Sequence, residues 1–212
     1  MNLLLLGATG LVGRNVLAQA LANPAVTRVI APTRRPLEPH SKLTNPVSDR
    51  LEALLSEGIN HGIDGVVCCL GTTIKKAGSK EAFREVDYAL PLKFARAAHQ
   101  HGVDTFVLVS ASTASANSAV FYSKVKGEVE REIGLVGFRS LTIVRPSLIG
   151  GQRDERRLME QIALQLLRMF APILPKKLQV NPADTIAAAC LSAVMAGDPG
   201  FHIRNAESLI AG

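Results

Sequence analysis

A single-domain, doubly wound α/β fold with a parallel sheet is the class this sequence predicts. Two observations carry the prediction: short apolar runs alternate with longer helix-like segments, and the runs are continuously apolar rather than alternating. A strand covered by helices on both faces has no solvent side, so it reads as an unbroken apolar stretch. The totals agree. The chain has 212 residues, 47% hydrophobic but only 4% aromatic, so Leu, Val, Ile and Ala must build the core.

The expected strands are Leu3–Leu6, Arg28–Ala31, Gly65–Leu70, Thr105–Ser110 and Leu141–Val144. The expected helices are Leu11–Leu21, Asp49–Glu57, Lys80–His101, Ala119–Gly134, Leu158–Phe170 and Ala183–Ala196, with Pro91 starting or kinking the third. Pro-rich stretches at Pro32–Pro46 and Pro172–Pro182 read as surface connections. No repeat, low-complexity linker or compositional break divides the chain, so residues 1–212 read as one domain. Residues 151–212 form a small C-terminal portion on the substrate side, with Gln152–Arg157 and Leu158–Pro175 as rim and lid or as a solvated run beside a core helix.

The net charge of +6 is spread without a dense basic block and there is no Trp, so the pattern argues for an anionic small molecule and against nucleic acid. Cys68, Cys69 and Cys190 lack the paired spacing of a disulfide framework or zinc site, and a reducing cytoplasm is expected. His40, His61, His99, His101 and His202 show no metal-ligand spacing on one helix face, so no metal is assigned. The Met1–Leu6 start is too short for a membrane span, as is the interrupted Leu158–Pro175 stretch.

The first strand runs directly into Gly7-Ala8-Thr9-Gly10-Leu11-Val12-Gly13 and then a helix. Gly7 permits the tight turn, Gly10 a close backbone approach to a pyrophosphate, and Gly13 close packing of helix on strand. Free amides near Leu11 and Val12, backed by the helix dipole, then meet the anion. This is a Rossmann-type dinucleotide site. An NAD-binding unit carries an acid about 20 positions after the glycines. Here Arg34 and Arg35 stand there instead, and a guanidinium grips a 2′-phosphate in a bidentate way, so NADP(H) is expected over NAD(H).

Tyr122 and Lys126 lie four residues apart at the start of a helix and share a face. A nearby ammonium favours a phenolate, so the pair suits proton exchange while a hydride moves. The Thr105–Ser112 run ends on hydroxyls at the carboxyl edge of the sheet, where Ser110, or secondly Ser112, is placed to polarise a substrate carbonyl.

Together these residues resemble the short-chain dehydrogenase/reductase superfamily, in its atypical branch. The glycine loop matches GxxGxxG, and Tyr122 with Lys126 matches YxxxK. Val67–Thr73, Lys76-Ala77-Gly78, Phe83–Asp87, Lys126–Glu130 and Arg145-Pro146-Ser147 resemble the Tat-interacting-protein-like oxidoreductases. The likeness runs from Asn2 to Ala196 and implies a seven-stranded sheet in the order 3-2-1-4-5-6-7. It implies an NADPH pocket made by the glycine loop with Thr9, by Arg34, Arg35, Leu70, Gly71, Thr72, Thr73, Tyr122 and Lys126, and by the segment after Pro146. Asp49 would reach the adenine by analogy. Homodimers through Lys80–His101 and Ala119–Gly134 and a protein partner are further implications. Two departures stand out. Asp87 occupies the helix region where the wider superfamily often has a relay Asn, and there is no large C-terminal substrate domain.

The resulting expectation is an NADPH-dependent oxidoreductase of a small carbonyl or alcohol, with Tyr122, Lys126 and Ser110 catalytic. Its rivals are an NADPH-binding regulatory module with little turnover and a sugar-nucleotide epimerase-like enzyme.

Overall fold

Strict alternation along the first strand explains how the molecule is layered. In the computed structural model, which describes residues 1–54, 62–150 and 180–209, β1 (Asn2–Leu6) sends Leu3 and Leu5 to one apolar layer. Leu4 and Leu6 go to the other. All four are buried, which is why the sequence shows a run of leucines with no polar face.

The remaining strands are β2 (Arg28–Ile30), β3 (Leu43–Thr44), β4 (Gly65–Cys68), β5 (Thr105–Val109) and β6 (Ser140–Arg145), then β7 (Leu148–Gly150), β8 (Val180–Pro182) and β9 (Gly200–Asn205). Seven of them form one sheet in the order β3-β2-β1-β4-β5-β6-β9, with every neighbouring pair parallel. The expected order holds with β9 as the seventh strand, because β7 and β8 pair only with each other. The chain order reverses between β1 and β4, and this switch point opens a crevice at the carboxyl edge.

Helix α1 (Leu11–Ala22) covers one face through Val16 and Ala20, which join Leu3, Leu5 and Val67 in one layer. On the opposite face, after the short α2 (Ile74–Ala77) and α3 (Lys80–Arg84), come α4 (Leu90–Gln100) and α5 (Phe121–Gly134). There Phe94, Ala95, Val129 and Ile133 pack with Leu4, Val66 and Phe106. The last helix, α6 (Ala183–Ala196), returns to the α1 side through Ile186 and Ala187. Burying a side chain such as Phe94 completely contributes about 1.5–3 kcal/mol.

Four expectations change. The single helix expected over Lys80–His101 is broken by a π turn at Glu85–Ala89. Pro91 has no N–H for the Asp87 carbonyl, and the Leu90 N–H bonds instead to the Glu85 carbonyl. Within the expected Asp49–Glu57 helix, the described part is a 3-10 turn over Leu51–Leu54. The place of the seventh strand, β9, was not anticipated, because Phe201, His202 and Ile203 mix apolar and polar types and all three are exposed at a sheet edge. Strand β3 is two residues within the Pro-rich patch, too short for a periodic signal. The expected Leu158–Phe170 helix and the Gln152–Pro175 rim lie outside the described residues, apart from which β8 closes the second Pro-rich patch. None of the described helices is long and apolar enough to cross a membrane.

Candidate functional site

Gly7 leaves β1 with φ +81°, and a Cβ there would lie 2.6 Å from the Cys69 carbonyl oxygen. Only glycine fits between β1 and the exit of β4. The Gly10 N–H closes the turn on the Gly7 carbonyl at 3.0 Å, and Gly10 then caps α1 with no side chain of its own. Leu11 and Val12 bury their side chains, while the first-turn amides lack intrahelical acceptors and present the positive end of the dipole. At Gly13 a Cβ would sit 2.1 Å from the Gly7 carbonyl oxygen, so this glycine locks helix against turn. Thr9 is exposed at the tip.

Arg34 and Arg35 follow the bridge that joins Thr33 to Val47 beyond β2. Both are exposed, and neither meets a carboxylate among the described residues. Asp49, also exposed, follows on the neighbouring segment.

On the other side of the switch point lie Asp87, Lys126, Ser110 and Tyr122. The amide of Thr72, in the Leu70–Thr73 loop after β4, donates to Asp87 Oδ2 at 2.8 Å. Lys126 Nζ lies 2.7 Å from Asp87 Oδ1, with the two side chains 7% and 0% exposed. The two charges form a buried ion pair, while Asp87 Oδ1 accepts no hydrogen bond among the described residues. Gly71 supplies the room: a Cβ there would lie 3.4 Å from Asp87 Oδ1 and 3.6 Å from Lys126 Nζ.

Ser110 follows β5 directly. Since Cys68 pairs with Leu108, Ser110 stands level with Leu70 on the adjacent strand exit. Its N–H is taken by the Val144 carbonyl, but its buried Oγ has no hydrogen-bond partner. Buried hydroxyls without partners are rare. Ser112 is exposed, and its amide bonds to the Pro146 carbonyl, which ties the buried Pro146 segment to the same edge.

Tyr122 is half-buried one turn before Lys126 on the same face of α5. Its ring packs on Phe83 with centroids 5.7 Å apart, which fixes the phenol without occupying its hydroxyl. Sequence reasoning noted Asp87 only as a departure and gave it no role. Its signal was an acid on the buried side of an amphipathic helix, a few residues before a proline.

The apolar residues Leu90, Leu92, Phe94, Ala95 and Ala98 of α4 are buried within this chain's own core.

The NAD(P)H-binding family model matches residues 7–156. The chain is 38% identical over 182 residues to "Protein fmp52, mitochondrial" of Emericella nidulans, covering 82% of this chain and 76% of the relative. It is 38% identical over 162 residues to "Protein FMP52, mitochondrial" of Candida albicans, covering 73% and 70%. Among solved structures, MoeE5 in complex with UDP-glucose and NAD is similar with a TM-score of 0.74 at 18% identity, over 96% of this chain and 75% of that one. The UDP-glucuronic acid 4-epimerase of Bacillus cereus in complex with NAD gives 0.72 at 16%, over 96% and 78%. The latter two show the fold alone. The expected cytoplasmic location is overturned, because the curated relatives are named as mitochondrial proteins. Free thiols distinguish reducing from oxidising surroundings only, and they do not single out one reducing compartment. With a glycine loop at a switch point, a parallel seven-stranded Rossmann-type sheet and a family match over most of its length, the chain belongs to the NAD(P)H-binding family.

Proposed function

We propose that this protein is an NADPH-dependent oxidoreductase that reduces a small carbonyl compound. The observation that carries the reading is the buried Ser110 Oγ, without a hydrogen-bond partner among the described residues, together with the buried Lys126–Asp87 ion pair. The residues present fit a dinucleotide: uncapped α1 amides for the pyrophosphate, Arg34 and Arg35 for a 2′-phosphate, and Lys126 for ribose hydroxyls. Asp49 would reach the adenine, by analogy, with Thr9, Leu70, Gly71, Thr72, Thr73 and Pro146 completing the wall.

When bound, the nicotinamide would be the source of hydride. Ser110 Oγ donates a hydrogen bond to the carbonyl oxygen and draws charge onto it. Tyr122 delivers the proton to the same oxygen as the alcohol forms. Lys126 holds positive charge beside the phenol, balanced by Asp87, and orients the ribose. Residues 151–212 would contribute the substrate side of a single domain, and the relatives' names support a mitochondrial setting.

The second reading is a regulatory NADPH-binding protein that presents a surface to a partner, alone or as a homodimer. The low identity to the NAD-complexed sugar-nucleotide enzymes and the exposed arginines give epimerase chemistry less support. Calorimetric titration with NADPH and NADH, followed by a carbonyl panel read by loss of nicotinamide absorbance, tests the proposal. Selective binding with turnover supports the reductase. Binding without turnover favours the regulator, and absence of binding overturns both.

A further inference from the structure

A side-chain hydrogen-bond network holds the exit of β2. Asn45 Nδ2 donates to the Ala31 carbonyl at 2.6 Å and to Thr33 Oγ1 at 2.8 Å. Asn45 Oδ1 accepts from the Leu37 N–H at 2.8 Å. Thr33 Oγ1, having accepted from Asn45, donates onward to the Arg35 carbonyl at 2.6 Å. The main chain of Thr33 is fixed as well, since its N–H bonds to the Pro46 carbonyl and its carbonyl accepts from Ser48, each at 3.1 Å. Residues 31, 33, 35 and 37 are thus tied in succession to one amide and one hydroxyl. Thr33 is 3% exposed, so water cannot substitute for these bonds without opening the strand exit.

What this network encloses is the Arg34-Arg35 pair, whose side chains are exposed and meet no carboxylate among the described residues. A rigid backbone beneath two uncommitted guanidinium groups is a preorganised anion clamp. The ordering that a flexible, Pro-rich loop would otherwise undergo on binding a phosphate is already done.

We infer that Thr33 and Asn45 are positioning residues for recognition of the cofactor's 2′-phosphate, acting through the backbone of Arg34 and Arg35. The inference rests on the NADPH reading of the site. On that reading the nicotinamide end would be held elsewhere, at the β4 and β5 exits, so loss of the clasp should affect only the phosphate that distinguishes the two cofactors.

The test compares Thr33→Val, Thr33→Ser and Asn45→Ala with the unaltered protein and with Arg34→Ala/Arg35→Ala, by titration with NADPH, NADH and 2′,5′-ADP. Thr33→Val keeps the buried β-branched shape and deletes the hydroxyl, while Thr33→Ser keeps the hydroxyl. Thr33→Val is expected to weaken NADPH and 2′,5′-ADP roughly tenfold with NADH unchanged, and Thr33→Ser to retain the original ratio. Should Asn45→Ala lower the melting temperature too far to be titrated, the two Thr33 variants decide. An unchanged NADPH-to-NADH ratio in Thr33→Val, or equal weakening of both cofactors, overturns the inference while the arginine variant still loses selectivity. If the unaltered protein does not prefer NADPH, or the arginine variant keeps its preference, the NADPH reading falls first.

Discussion

Lys126 and Asp87 meet across the interface between α5 and the π turn, Nζ to Oδ1 at 2.7 Å, with both side chains almost wholly removed from water. Removing one charge strands the other in a low-dielectric site. Asp87→Asn keeps an acceptor for the Thr72 amide but leaves Lys126 uncompensated, and it should cost about 3 kcal/mol of stability. Urea denaturation reads the loss, and Asp87→Asn combined with Lys126→Met should recover most of it. A single variant as stable as the original protein would show that the pair is not electrostatically coupled.

Tyr122→Phe retains the ring packed on Phe83 and removes only the hydroxyl. Turnover of a carbonyl substrate should fall on the order of 10²–10⁴-fold, with the dissociation constant for NADPH unchanged. Steady-state kinetics beside calorimetry separates the two. Retained turnover would exclude the phenol as proton donor.

Gly10 and Gly13 should respond differently to alanine. At Gly10 the nearest atom to a new Cβ is the Gly7 carbonyl oxygen at 3.3 Å, whereas at Gly13 the same oxygen would be 2.1 Å away. Gly10→Ala is therefore expected to fold with a near-normal melting temperature yet lose cofactor affinity. Gly13→Ala should lose stability outright, by roughly 1–3 kcal/mol from overpacking. Equal melting temperatures for the two variants would contradict the packing assigned to Gly13.

Burial pushes the Cys68 and Cys190 thiols from 9.0 up to about 12. Neither should react with a thiol reagent near neutral pH until the chain unfolds. Linkage fixes the sign: the folded chain holds these protons more tightly than the unfolded one. Their contribution is complete below pH 9.0 and is lost as pH rises from there through about 12. Urea midpoints measured across that window should fall, and a Cys190→Ala variant should fall less steeply. A midpoint independent of pH would contradict the assignment.

Arg34→Ala/Arg35→Ala should weaken NADPH by roughly ten- to hundredfold and leave NADH nearly unaffected, as expected for loss of charge-assisted bonds to one phosphate. The NADPH affinity of the unaltered protein should also decline with added salt. Equal losses for both cofactors would place the arginines elsewhere than the 2′-phosphate.

Wherever one strand or helix carries its own complete signal, the sequence by itself determined the answer. The leucine run of β1, the Gly7–Gly13 turn into α1, the span of α6 and the i, i+4 relation of Tyr122 and Lys126 are local patterns, set by pleat, dihedral and helical pitch. Only the tertiary structure decided what depends on distant partners. Strand β9 is an exposed edge ladder defined by hydrogen bonds to β6, with no apolar run to announce it. Asp87 gained its place because Pro91 opens a π turn and α5 brings Lys126 to it, 39 positions on in the chain, and no periodicity encodes that meeting. The Thr33–Asn45 clasp is likewise a long-range agreement between the exit of β2 and the residue after β3. Side-chain pairing across elements is chosen by packing, which a linear pattern of hydrophobic and polar residues does not record.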